Sequence, residues 1–81
     1  MARKAWTFQI NGTRNTVELE HGYWSSARLI TLNGQVIERS NKFWDTGSEH
    51  RFEVRGCACI LRIRNTSFGF EYELYIDGRL V

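Results

Sequence analysis

Few side chains in this chain of 81 residues are equipped for chemistry. Two thiols, Cys57 and Cys59, and two imidazoles, His21 and His50, are the reactive inventory apart from hydroxyls and carboxylates. Nucleophilic catalysis needs Ser, Cys or Thr beside a base and an orienting group, and neither histidine stands in such a motif. His21 ends an alternating run just before Gly22, a place for a structural imidazole, and His50 falls in an inward-facing column. Glu18 and Glu20 share an outward parity, where solvation is the default for carboxylates. Cys57 and Cys59 lie two apart on one strand and point the same way. Their Cα spacing, roughly 6.5 Å from a rise of about 3.3 Å per residue, is near the upper limit for a disulfide. They read as free, buried thiols that pack as small hydrophobes. A metal or redox pair would need further ligands, and the histidines are not at a zinc spacing. No loop cradles a phosphate, since Asn11-Gly12 and Asn33-Gly34 are turns. The expectation is a protein that is not an enzyme, with no catalytic residues, no metal site and no cofactor.

What remains is recognition. Tyr23, Trp24, Phe43, Trp44 and Phe68 are large aromatics concentrated in connecting segments. Folded inward, they would plug the open end of the fold. Left exposed, they would form a contact patch, because loops on a rigid scaffold carry recognition and aromatic residues are preferred anchors. These five are the candidate binding residues, with a protein as the expected partner. The alternative is a small-ligand or carbohydrate module that uses Tyr23, Trp24 and Trp44 as a stacking platform.

The elements that must position these residues follow from glycine spacing. Gly12, Gly34, Gly56 and Gly78 recur every 22 residues. Two before each glycine stand Ile10, Leu32, Val54 and Ile76, and four before stand Phe8, Ile30, Phe52 and Leu74. Such alternation is the period of a half-buried strand, and Asn-Gly or Asp-Gly supplies the positive φ of a tight hairpin turn. Four hairpins in series are predicted: Trp6 to His21, Ala27 to Arg39, Glu49 to Arg64, and Phe68 to Val81. Met1 to Ala5 is expected to fray. Residues flanking a two-residue loop pair and share a face, so Trp6 meets Val17, Ile30 meets Ile37, Phe52 meets Cys59 and Leu74 meets Val81. Phe8 against Asn15 is the one polar mismatch. The expected inner face adds Ile10, Leu19, Leu32, Val54, Leu61, Ile63, Tyr72 and Ile76. Arg55-Gly56 is the weakest turn, because arginine tolerates positive φ poorly, and a bulge is the alternative to the tight loop there. Cys57 to Arg64 is apolar on both faces through Ala58 and Ile60, the mark of a strand covered on both sides or central in its sheet.

The fold class is therefore all-β, an antiparallel β-sandwich of about eight strands, with residues 1–81 as one domain. That length buries only about 60% of the unfolded surface. Net charge is +2, and nine of the 11 cationic residues are arginine. Acidic residues are interleaved with them, Glu49 opposite Arg62 and Glu71 and Glu73 on the neighbouring strand, so a solvated, charge-mixed face is expected. This is not the dense basic stripe of a nucleic-acid binder. No run approaches the length of a membrane helix, and MARKAW lacks the apolar segment of a signal peptide. A cytoplasmic protein without membrane contact is expected.

The runs TVELEHG, ARLITLNGQ and EHRFEV and, above all, the terminal FGFEYELYIDG resemble the Fas apoptotic inhibitory molecule family over roughly Trp6 to Val81. The resemblance implies a sandwich of two antiparallel sheets with eight strands. It further implies a non-enzymatic protein-interaction role, associated in animals with death-receptor signalling and protection against protein aggregation. Described animal members carry two such domains in tandem where this chain has one, which makes self-pairing into a homodimer a further expectation. Ser26 stands where those members have a glycine before the third strand.

Overall fold

A computed structural model describes residues 2–22, 27–41 and 47–81. Eight strands account for nearly all of them: β1 (Ala2–Ile10), β2 (Thr13–His21), β3 (Ala27–Leu32), β4 (Gln35–Asn41), β5 (Gly47–Val54), β6 (Cys57–Thr66), β7 (Gly69–Ile76) and β8 (Arg79–Leu80). They form two four-stranded antiparallel sheets, ordered β1-β2-β3-β4 and β5-β6-β7-β8. Each strand therefore pairs with its sequence neighbour, and each sheet is a meander of two of the predicted hairpins. The architecture is consistent with an all-β sandwich of eight strands. By internal contacts the chain forms two compact units, Met1–Trp44 and Asp45–Val81, each holding one sheet.

Turn chemistry fixes the registers. Asn11, Asn33, Arg55 and Asp77 have φ between 48° and 51°, each followed by a glycine at φ 79° to 82°. Trp6 pairs with Val17 and Phe52 with Cys59, and the Val81 amide donates to the Leu74 carbonyl at 2.8 Å, as parity requires. The third turn keeps the two-residue loop that the pairing of Phe52 with Cys59 requires. Val54 pairs directly with Cys57, so Arg55 itself adopts the left-handed conformation and no bulge forms. That strain, about 1–2 kcal/mol for a residue with a Cβ, is outweighed by the eight-pair ladder between β5 and β6.

The bulge lies instead in the second hairpin. Ile30 pairs with Glu38 and Thr31 with Val36, which leaves Ile37 as the surplus residue. Ile37 is thus neither the partner of Ile30 nor part of the core, being 39% exposed. β4 is an edge strand with almost every side chain exposed, and a bulge there twists the edge away from strand addition. The N-terminus differs too. Ala2 to Ala5 do not fray but continue β1 opposite His21 to Glu18, because Arg3 finds a cross-strand carboxylate in Glu20 at 2.7 Å.

In the first sheet Trp6, Ile10, Val17, Leu19 and Ile30 are buried, and in the second Val54, Cys59, Leu61, Ile63 and Leu74. Phe8, Leu32, Phe52, Tyr72 and Ile76 are half-buried. Val81, placed on the inner face by parity, is exposed because it follows β8, an edge strand of two residues. β6 is central in its sheet.

Asn15, the mismatch opposite Phe8, is 1% exposed. Its amide is satisfied there: Nδ2 donates to the Thr13 carbonyl at 3.0 Å, and Oδ1 accepts from Asn33 Nδ2 at 3.2 Å. The second contact ties β2 to the turn of the next hairpin. Replacing Asn15 by Ala removes both bonds and opens a void beside the turn, so Asn15→Ala should lose about 1–3 kcal/mol. Urea unfolding should show this as a lower midpoint with unchanged slope.

Candidate functional site

The segment between β6 and β7 was expected to be an aromatic-bearing loop. It is a tight hairpin: Thr66 pairs with Gly69, leaving only Ser67 and Phe68 at the tip. Gly69 takes φ 136°, and the Phe68 amide donates to Thr66 Oγ1 at 3.3 Å. Held by this short connection, the Phe68 ring cannot turn back into its own sheet. Its relative exposure is 102%, so of the two readings for the aromatics Phe68 follows the exposed one. Tyr23, Trp24, Phe43 and Trp44 lie outside the described residues, and with them the stacking platform. Covering one phenylalanine side chain is worth about 1.5–3 kcal/mol, and at the tip none of that energy is realised within the chain.

The outer face of the second sheet adjoins this hairpin. Its cross-strand rows alternate in character. Arg64 faces Glu71, and their side chains form an ion pair. Arg62 lies opposite both Glu49 and Glu73, with Arg62 Nε 4.0 Å from Glu49, and Arg51 also reaches Glu49 at 3.2 Å. This is the charge-mixed surface the sequence suggested. The next row is Arg51, Ile60, Tyr75 and Leu80, apolar apart from Arg51. A shallow cleft of about 230 Å³ beside it is lined by Glu49, Ile60, Arg62, Tyr75 and Gly78.

A second cleft, of about 420 Å³, lies at the end of the first sheet and is bounded by Glu20, Gly22, Arg28, Arg39 and Asn41 among others. Arg28 is 2% exposed and sits directly opposite the fully buried His21. Counting back by two from Ile30 places Arg28 on the inner face, a signal that its charge masks. Glu20, on the outer parity, is held by Arg3. His50 is 8% exposed, with Nε2 2.7 Å from Ser48 Oγ. A serine and a histidine on one strand face form a local hydrogen bond. Among the described residues, no three His, Cys, Asp or Glu side chains gather as a metal site.

Cys57 is half-buried, Cys59 is buried, and neither is in a disulfide. The Asp77 carboxylate acts on both, after burial. Asp77 Oδ1 accepts from the Ala58 amide at 3.0 Å, and the Asp77 amide donates to the Ala58 carbonyl at 2.8 Å, which docks the last turn onto the start of β6. Burial, followed by hydrogen bonding and charge from Asp77, pushes the Cys57 thiol above its ordinary value. Burial raises Cys59 as well, reinforced by the charges of Cys57 and Asp77. Such thiols stay protonated at neutral pH and are poor nucleophiles.

Removing the Asp77 charge should reverse part of this effect. Asp77→Asn keeps the acceptor for Ala58 and a residue suited to the left-handed turn, as Asn33 is in the first sheet. With no anion to oppose ionisation, the thiol pKa falls and more thiolate is present at a given pH. Iodoacetamide labelling of Cys57 should then begin at lower pH than in the unaltered protein, with the melting temperature little changed.

Comparison with known proteins gives a family match. The family model for Fas apoptotic inhibitory molecule (FAIM1) matches residues 2–81. No curated protein matches the chain. The eight strands run through the matched span from Ala2 onward, and FGFEYELYIDG supplies the Ser67-Phe68 hairpin's second arm and the turn that docks on β6. The chain belongs to the Fas apoptotic inhibitory molecule family.

Proposed function

We propose that this chain is a non-catalytic protein-interaction module of the cytoplasm, acting in the control of cell death or in protein quality control as its family's name and resemblance suggest. The observation that carries the reading is Phe68, fully exposed on a two-residue hairpin tip. An exposed ring on a rigid support meets the requirement for an anchor: it is large, apolar and costs little side-chain entropy to fix. The charge-mixed face beside it, already internally paired through Arg64 and Glu71, would form a polar rim that selects partners more by complementarity than by net attraction. Among the described residues no helix is long and apolar enough to cross a membrane, and the partner is taken to be a protein, a second copy of the chain included.

The experiment is a pull-down from source lysate at physiological salt, followed by titration of the recovered partner against variants. Phe68→Ala should weaken binding by about thirtyfold or more, the effect of removing an anchor worth roughly 2 kcal/mol. Its melting temperature should stay unchanged, because the ring contributes no buried area. Absence of a specific partner, or equal affinity of Phe68→Ala, overturns the proposal. Sedimentation tests the homodimer: a monomer at high concentration excludes it.

A further inference from the structure

Two of the four turns with paired positive-φ residues carry the same dipeptide, Asn11-Gly12 and Asn33-Gly34, in the same conformation. Their asparagines have φ 49° and 51° and their glycines 79° and 82°, and all four residues are exposed. Their surroundings differ. The Asn33 side chain is held at both ends, Oδ1 accepting from the Thr16 amide at 2.8 Å and Nδ2 donating to Asn15 Oδ1 at 3.2 Å. The Asn33 amide also donates to the Thr16 carbonyl at 2.8 Å. Asn11 lies in the turn between β1 and β2, and its side chain makes no hydrogen bond to any described residue.

Asparagine before glycine is chemically exposed. The glycine amide nitrogen can attack the asparagine side-chain carbonyl carbon. A bond forms from that nitrogen to Cγ, the Cγ–Nδ2 bond breaks, and ammonia leaves with the amide proton, closing a succinimide ring. Water then opens the ring at either carbonyl to give aspartate or isoaspartate. Glycine permits the attack because it carries no side chain to block it. The other asparagines, Asn15, Asn41 and Asn65, precede Thr, Lys and Thr. The reaction needs the amide to swing free and the turn to open locally, and such opening is easiest where few bonds must break.

We infer that Asn11 is a site of spontaneous deamidation in the folded protein, and that Asn33 is protected by its bonds to Thr16 and Asn15. The two products differ in their effect. Aspartate fits the turn, since Asp77 holds the same position in the last hairpin at φ 48°. Isoaspartate inserts an extra backbone atom into a two-residue loop whose register depends on its length, so it loosens the pairing of Ile10 with Thr13. Each modified molecule also carries one more negative charge at the edge of the first sheet.

The test is incubation of the intact chain in mildly alkaline buffer at body temperature, with timed tryptic mapping. Asn11 falls in the peptide Ala5 to Arg14 and Asn33 in the peptide Leu29 to Arg39, so each site reads out separately by the mass change from amide to acid. In the native protein the Asn11 peptide should convert roughly ten- to a hundredfold faster than the Asn33 peptide, the difference that two or three net hydrogen bonds make. In concentrated urea the two rates should converge. Equal rates in the native protein, faster conversion at Asn33, or no native conversion at Asn11 while the unfolded chain reacts would each overturn the inference.

Discussion

Everything in this structure depends on how each hairpin closes. Two consecutive residues with positive φ at Asn11, Asn33, Arg55 and Asp77 and the glycines after them leave no slack in the pairing of the flanking strands. Register then decides face, because a slip of one residue would turn every side chain over. Val17, Leu19, Ile30, Leu61 and Leu74 are fully buried for that reason. The same constraint reaches across hairpins. Asn33 exchanges two bonds with the backbone of Thr16, its own amide to the carbonyl and its Oδ1 from the amide, and Asp77 does the same with Ala58. A turn that closes one hairpin thereby fixes its position on the preceding strand, and four local units become two sheets.

How much of this is legible in sequence depends on whether the signal is local. Asn-Gly and Asp-Gly announce their turns, and alternating apolar residues announce the face, so the four hairpins and most of the inner face can be read directly. Arg55 shows where the reading stops: its propensity argues against a left-handed turn, but the ladder on either side overrides it. The bulge at Ile37 is invisible for the complementary reason, since an isoleucine in an apolar column gives no sign that its strand is an edge exposed on both faces. Asn15 and Arg28 fall on the inner face by parity but break its apolar pattern, so residue type argues against their burial. Asn15 is buried because Asn33, 18 residues away, completes its hydrogen bonding, and no local pattern encodes that. For the candidate site, composition pointed to aromatics between the strands, whereas the exposure of Phe68 follows from a two-residue connection that only the pairing of Thr66 with Gly69 reveals.

The thiols illustrate how one docking contact sets chemistry as well as geometry. Asp77 is positioned by the backbone of Ala58, between Cys57 and Cys59 in the chain. Its carboxylate is therefore brought to both sulfurs by the contact that holds the turn in place. The result is a pair held in the thiol form by burial and a nearby anion. A reactive cysteine needs the opposite surroundings, partial exposure and a cation. The spacing that suggested a metal or redox pair is better explained by strand parity, which puts alternate residues on one face whatever their chemistry.

The two ends of the second sheet can be compared on the same terms. At Asp77-Gly78 the backbone conformation dictates the residue types, and a side-chain bond to Ala58 uses what they offer. At Ser67-Phe68 neither residue has positive φ, and the left-handed burden falls on Gly69. The turn therefore does not require phenylalanine at position 68, nor does any buried cluster use it. A small polar residue would meet every folding requirement visible there and avoid exposing an aromatic ring to water. Burial accounts for the other aromatics among the described residues to differing degrees, from Trp6 at 7% exposure to the half-buried Phe8, Phe52, Phe70, Tyr72 and Tyr75. Phe68 alone among them has no such account, which is why the search for a partner begins at that tip.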